Sequence, residues 1–456
     1  METEESLAPT REQKSNVYLL CAGFNQDQSC FFCGTTAGFR VFTVSPLSEV
    51  HRREQTPVLK NCAVPIMGML FRTNIFAMVC VCEDNYYTSA DKFKVKVYDD
   101  AKKRFIGELR SKNEVKGVAL RRDIIVMVCE FAIYVYTNDK MRIILHLTTK
   151  GNPRGLCALA STSNPWILCC PGQSTGTVRV QVGQDDRATH VFAAHQTQLA
   201  ALVVNSSGTM VATASEKGTV CKVFNTSDGQ ILFRLRRSNR PAGISCLQFS
   251  HDNRFLAVAS SSSMVHIFKL DPTSGREATE EVTPQASPVL GPVDDPTLEA
   301  AVERRPSGRV GESSAMLEQI TSAVQKAAET VKGVMPQYFH DLWSFAQFRI
   351  PDVDANGHPM VDVRGTAARM IGPQLAFHST EPRLFVLHFS GMLYECSFKL
   401  DHDPSMGTQE CAFIGASTWF AVRPDFKVHD PTAKTETVAG GAASDDEGAE
   451  DWELIP

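Results

Sequence analysis

Short strand-like segments recur along the chain at a nearly constant interval, and this regularity constrains the fold more than any single motif. Apolar runs begin near Val17, Val64, Val115, Gly155, Leu199 and Ile244, separated by turns rich in Gly, Asn, Asp, Ser and Pro. An interval of about forty to fifty residues is the period expected of four-stranded propeller blades. The clearest unit runs through Ala200-Ala-Leu-Val-Val204, Met210-Val-Ala-Thr-Ala-Ser215, Thr219-Val-Cys-Lys-Val-Phe224 and Ile231-Leu-Phe-Arg-Leu235, with tight turns between them. About seven such units fit 456 residues, which predicts an all-β, seven-bladed β-propeller of WD40-like type.

The periodicity also divides the chain. Residues 1–15 are acidic and polar, and are expected to be a disordered N-terminus; blades 1–6 are expected over 16–270. Strand patterning then stops across 271–336, where Pro272, Pro284, Pro288, Pro292, Pro296 and Pro306 mark a long loop inserted in blade 6. Inside it, 313–334 is free of proline and places Leu317, Ile320, Val324 and Val331 at helical steps, with Glu318, Gln325, Lys326, Glu329 and Lys332 between them. This reads as an amphipathic helix that either packs on the propeller's own side or inserts weakly into a membrane. Residues 337–425 are expected to complete blade 6 and supply blade 7, and 426–456 to be a disordered acidic tail.

Several function classes find no support. No apolar run reaches membrane-spanning length; Ile124 to Tyr136, the most apolar stretch, is interrupted by Glu130 and reads as strands joined by a turn. The start has no apolar core of a secretory signal, so a cytoplasmic chain with reduced thiols is expected. Cys30 and Cys33 have metal-ligand spacing, but on a strand they face opposite sides and no second pair completes a zinc set, so no metal is expected. Gly172-Gln-Ser-Thr-Gly176 fits the nucleophile pattern GxSxG, yet Thr177-Val-Arg-Val-Gln-Val182 behind it is strand-like where a helix is required. No enzyme activity and no cofactor are expected. The net charge of −5 conceals a nearly neutral body, because six acids crowd the tail between Asp445 and Glu453.

That body leaves room for a local basic site, and the dipeptide Arg236-Arg237 offers one. Consecutive strand side chains point to opposite faces, so two neighbouring arginines can serve two separate anion sites. A guanidinium is permanently charged and presents a planar fork of donors that matches phosphate. On the dipeptide alone, a solvated edge or a surface ion pair is the alternative.

Beyond these residues, Asn152-Pro-Arg-Gly-Leu-Cys-Ala158, Pro171-Gly172, Ala214-Ser-Glu-Lys-Gly-Thr219, Leu235-Arg-Arg237, Val265-His-Ile-Phe268 and Tyr338-Phe with Trp343-Ser-Phe345 follow one another in order. The set resembles the PROPPINs, the phosphoinositide-binding WD-repeat β-propellers of autophagy, over most of residues 17–420. Phe24-Asn-Gln-Asp-Gln-Ser-Cys30 resembles the branch that binds the bridge-like lipid-transfer protein of autophagy. The resemblance implies a first phosphoinositide site of His195, Ser215, Thr219 and Arg236, and a second of Arg237, Ser260, His266 and Ser262. It implies phosphatidylinositol 3-phosphate and phosphatidylinositol 3,5-bisphosphate as head groups, and membrane insertion through Leu317, Ile320, Val324 and Val331. Asn25 and Asp27 would face the lipid-transfer partner, with a turn role as the equal alternative. Ser238 replaces the family's glycine after the arginines, and Met264 a threonine, so strain at Ser238 and a weaker second site are expected.

The tail adds a short motif, Trp452 and Ile455 behind an acidic run, resembling peptides that dock on ubiquitin-like autophagosome modifiers by strand addition. Together these features imply a cytoplasmic effector, peripheral on preautophagosomal, autophagosomal or endosomal and vacuolar membranes, with no nucleic-acid partner. A WD-type protein-interaction scaffold without lipid binding is the rival.

Overall fold

The computed structural model describes residues 17–81, 90–271, 341–351, 372–403 and 406–420. These form seven sheets, antiparallel apart from two added two-residue strands, arranged as a seven-bladed propeller. Blade 1 comprises Leu19–Phe24, Cys30–Thr35, Gly38–Thr43 and Ser48–Glu54. Blade 5 comprises Leu199–Val204, Met210–Ser215, Val220–Asn225 and Ile231–Arg236, and blade 6 begins with Ile244–Phe249, Phe255–Ser260 and Met264–Lys269. Blade 6 gains its fourth strand, Ala346–Arg349, only after the long excursion. Blade 7 is built from Gln374–Phe377, Arg383–His388, Met392–Ser397 and Ala412–Thr418.

The apolar residues form seven clusters, each shared by two neighbouring blades. The period of two along a strand creates this division. In the blade 3 strand Ile124–Cys129 every residue is buried: Ile124, Val126 and Val128 pack toward blade 4, while Ile125, Met127 and Cys129 pack toward blade 2. Cys30 and Cys33 divide in the same way, the first packing toward blade 2 and the second toward blade 7, so the spacing that suggests metal ligands places them in different cores. Both are free and buried. Cys62, by contrast, is disulfide-bonded, which departs from the expectation of wholly reduced thiols.

Blade 1 is consecutive chain and blade 7 is interrupted by Gln409–Glu410, which joins blade 6; blades 1 and 7 exchange no strand among the described residues. Packing closes the ring instead. Trp419 sits edge-on to Phe31 and Phe42, with ring centroids 5.3 and 5.8 Å away, and the Arg40 guanidinium lies 4.9 Å from the Phe420 ring centre.

Two glutamines in the first turn of blade 1 reinforce that closure. Gln26 Nε2 donates to the carbonyls of Met69 and Leu120, both at 2.8 Å, and its Oε1 accepts from the Phe71 amide at 2.7 Å. Gln28 Nε2 donates to the Phe249 carbonyl at 3.3 Å, and its Oε1 accepts from the Phe377 amide at 2.7 Å. Met69, Leu120, Phe249 and Phe377 all end the first strands of their blades. The two amides therefore span one mouth of the ring, from blade 1 to blades 2 and 3 on one side and to blades 6 and 7 on the other.

Two short strands fall outside the four-per-blade pattern. Leu342–Trp343 pairs in parallel with the last strand of blade 5, Leu342 opposite Leu235 and Trp343 opposite Arg236. Gln409–Glu410 similarly adds to Ala346–Arg349 in blade 6. The run 343–350 is thus divided between two blades.

Candidate functional site: the seam between blades 5 and 6

Arg236 ends the last strand of blade 5, opposite Val220, and Arg237 follows as the chain leaves the sheet. Phe233 and Leu235 pack toward blade 6. Lys222, Arg234 and Arg236 occupy the alternate positions and face the other way, toward blade 4. Arg237, one step on, returns to the blade 6 side, so the tandem arginines do serve opposite faces.

The hairpin from Ser215 to Val220 sets Val220 opposite Arg236, and the Thr219 carbonyl accepts from the Arg237 amide at 2.9 Å. His195 arrives from the preceding link: its amide and that of Ala194 both donate to the Gly176 carbonyl. Gly176 is left-handed at φ +71°, and a Cβ there would stand 1.9 Å from the His195 carbonyl. The second glycine of the GxSxG match is therefore a hairpin requirement that seats His195, since Ile167–Pro171 and Thr177–Val182 are adjacent antiparallel strands. His195 Nε2 lies 2.9 Å from Thr213 Oγ1, and burial together with the Lys222 charge pushes its pKa down to about 4.

Sequence reasoning missed three residues here. Lys222 and Arg234 stand opposite one another in the sheet and share the face of Arg236. Asp341, whose side chain is fully buried, receives both arginines: Arg234 Nε donates to Oδ1 at 2.8 Å, and Arg236 Nε and Nη2 donate to Oδ2 at 2.8 and 2.5 Å. The alternation of Arg234 and Arg236 was visible in the sequence; the return of Asp341 from beyond the insertion had no local signal.

The blade 6 side is built differently. Arg237 is 5% exposed, and its guanidinium donates to two backbone carbonyls, Gly218 at 2.7 Å and Arg240 at 2.6 Å. It has no carboxylate partner among the described residues. Gly218 adopts φ +60°, and a Cβ there would meet the Ala242 carbonyl at 1.9 Å, so only glycine lets the loop fold close enough to offer its own carbonyl. Ser260 is buried, with its hydroxyl 2.8 Å from that of Ser262. His266 Nδ1 lies 3.4 Å from Ser344 Oγ; burial, and then the charge of Arg237, push the imidazole down to about 4.

The two sides repeat one design. Ser215 and Ser260 both end the second strand of their blades, opposite Leu199 and Ile244 respectively. By register Met264 opens the third strand of blade 6 where Val220 opens that of blade 5, and Ser263, whose carbonyl accepts from the Ile350 amide as that of Thr219 accepts from the Arg237 amide, takes the place of Thr219. Ser238, expected to be strained, is not left-handed; its hydroxyl accepts from the Arg240 amide at 3.1 Å and helps fold the loop around Arg237.

A family model described as PROPPIN matches residues 18–288. The chain belongs to the PROPPIN family. Among curated relatives, a protein named Autophagy-related protein 18 from Mycosarcoma maydis is 26% identical, covering 85% of this chain and 91% of its own. Autophagy-related protein 18e of Arabidopsis thaliana is 32% identical over 58% of this chain and 69% of its own. The solved structure of Kluyveromyces marxianus Hsv2 shares the fold with a TM-score of 0.60 at 19% identity, over 89% of this chain and all of that one. A complex of KlAtg21 with the coiled-coil of AgAtg16 is similar at a TM-score of 0.60 and 20% identity, over 88% of this chain. This PROPPIN is accordingly an autophagy-related, phosphoinositide-binding propeller. No helix among the described residues is long and apolar enough to cross a membrane.

The remaining expected contacts divide in two. Asn25 is buried and works inside its own turn, its Oδ1 accepting from the Cys30 amide at 3.0 Å, while Asp27 is exposed and its carboxylate accepts from Ser29. Asn25 thus fills the turn role offered as the alternative, and Asp27 is exposed. Leu317, Ile320, Val324 and Val331, and Trp452 and Ile455, lie outside the described residues.

Proposed function

We propose that this PROPPIN binds phosphatidylinositol 3-phosphate and phosphatidylinositol 3,5-bisphosphate at two sites flanking the seam, and so scaffolds autophagosome formation on autophagic or endolysosomal membranes. The observation that carries this is Arg237. A buried cation without a counter-charge is costly, by several kcal/mol in general, and is offset when an anion completes it. His266 lies close enough to feel the Arg237 charge, and with Ser260 and Ser262 on the same blade it offers groups able to donate to phosphate oxygens. On the other side, His195, Ser215, Thr219 and Arg236 form the matching set.

This reverses the expected ranking. Arg236 already has an internal carboxylate, whereas Arg237 has none among the described residues, so the blade 6 site is the tighter one despite Met264. Two weak head-group sites on one rim, supplemented by the helix expected over 313–334, give membrane avidity that one site cannot. Partners in the autophagy machinery, including a lipid-transfer protein near Asp27 and a ubiquitin-like modifier at Trp452 and Ile455, belong to the same reading.

Vesicle flotation provides the test. Wild type is expected to float with vesicles containing either 3-phosphorylated inositide and to remain behind with phosphatidylcholine alone, while Arg236→Thr/Arg237→Thr loses at least roughly tenfold in affinity. Equal flotation of wild type and the double variant would favour a protein-interaction scaffold.

A further inference from the structure

Asp341 occupies the chelating edge of Arg236 and also holds Arg234. Those are the donors a phosphate would use in site 1, and the carboxylate has the same charge sign and nearly the same fork geometry as one edge of a phosphate. We propose that Asp341 is an internal occupant of site 1, which a phosphate monoester displaces, and that Lys222 and Arg234 are head-group ligands alongside Arg236. The proposal rests on the phosphoinositide reading of the seam and deepens it.

Charge and geometry both permit the exchange. A carboxylate brings one negative charge, whereas a phosphate monoester brings about 1.5 to 2 near neutral pH and a third acceptor oxygen. Facing three cations, the more highly charged anion gains more, and the expelled carboxylate regains water. Asp341 is also weakly anchored in the sheet: the strand that follows it, Leu342–Trp343, is only two residues long and lies at the outer edge of blade 5. Pairing between Arg236 and Trp343 means that a displaced Asp341 disturbs the backbone beside a half-exposed tryptophan. Until displacement, only the fraction of molecules with the carboxylate withdrawn is competent at site 1, which lowers its apparent affinity by that fraction.

Asp341→Asn removes the competing charge with little change of shape. It is expected to bind inositol 1,3-bisphosphate in solution, and vesicles carrying phosphatidylinositol 3-phosphate, roughly three- to tenfold more tightly than wild type, with Asp341→Glu near wild type. Lys222→Gln and Arg234→Gln should each weaken the gain when added to Asp341→Asn. In the wild-type protein the soluble head group should shift tryptophan emission, and Trp343→Phe should abolish that shift, which keeps the idea testable even if Asp341→Asn does not fold. Weaker binding by Asp341→Asn while Arg236→Thr still impairs binding would overturn the exchange and make Asp341 a positioning residue. A gain confined to vesicles, or no emission change in wild type on head-group binding, would overturn it too. Unaltered binding by Arg236→Thr would instead sink the site 1 reading itself.

Discussion

At the scale of single residues, the seam is governed by how each buried polar group is compensated. Arg236 and Arg237 are neighbours in sequence with opposite solutions, one closed on Asp341 and the other on the carbonyls of Gly218 and Arg240. The histidines add a pH dependence. His195, His266 and His388 are each pushed by burial from an ordinary 6.5 down to about 4. The unfolded chain therefore takes up protons first as pH falls, so their contribution to stability is complete above about pH 6.5 and is lost toward pH 4. Thermal melts without lipid are expected to show falling stability across that window, and His195→Gln/His266→Gln to flatten it. An unchanged acid limb in the double variant would contradict the assignment. Much of this level was legible: a period of two assigned Arg236 and Arg237 to different faces before any fold was known. Asp341 was not, because a carboxylate contributed from more than a hundred residues away leaves no local pattern.

At the scale of elements, alternation succeeded because inner strands such as Cys30–Thr35, Ile124–Cys129 and Phe255–Ser260 are buried on both faces, and side chains on each face meet a different neighbouring blade. The strands of blade 5 emerge where apolar runs and turn residues placed them, Met210–Ser215 among them. Short edge strands escaped that logic: Leu342–Trp343 and Gln409–Glu410 hold position by pairing with a finished blade, which a two-residue pattern cannot announce. The first turn of blade 1 does more than its sequence announces. Gln26 and Gln28 are struts across the ring's mouth, and only their distant backbone partners reveal it. Gln28→Ala leaves the Phe377 amide unpaired and should destabilise the propeller by about 1–3 kcal/mol in denaturant titrations. Head-group affinity should stay unchanged, since Gln28 lies in blade 1; a loss of binding without a loss of stability would refute the strut role.

At the scale of the whole molecule, seven separate inter-blade cores make a rigid ring whose rim can hold repeated sites at fixed separation. The two proposed head-group sites follow that repetition: Ser215 and Ser260 occupy the same place in successive blades, with the arginine pair at their seam. What differs between the sites is the local counter-charge. The most direct measurement is calorimetric titration of the full chain with soluble inositol 1,3-bisphosphate, for wild type, Arg236→Thr and Arg237→Thr. The account predicts two binding events of unequal affinity, with the tighter one lost in Arg237→Thr and the weaker one lost in Arg236→Thr. A single event, or a tight event that survives Arg237→Thr, would contradict it.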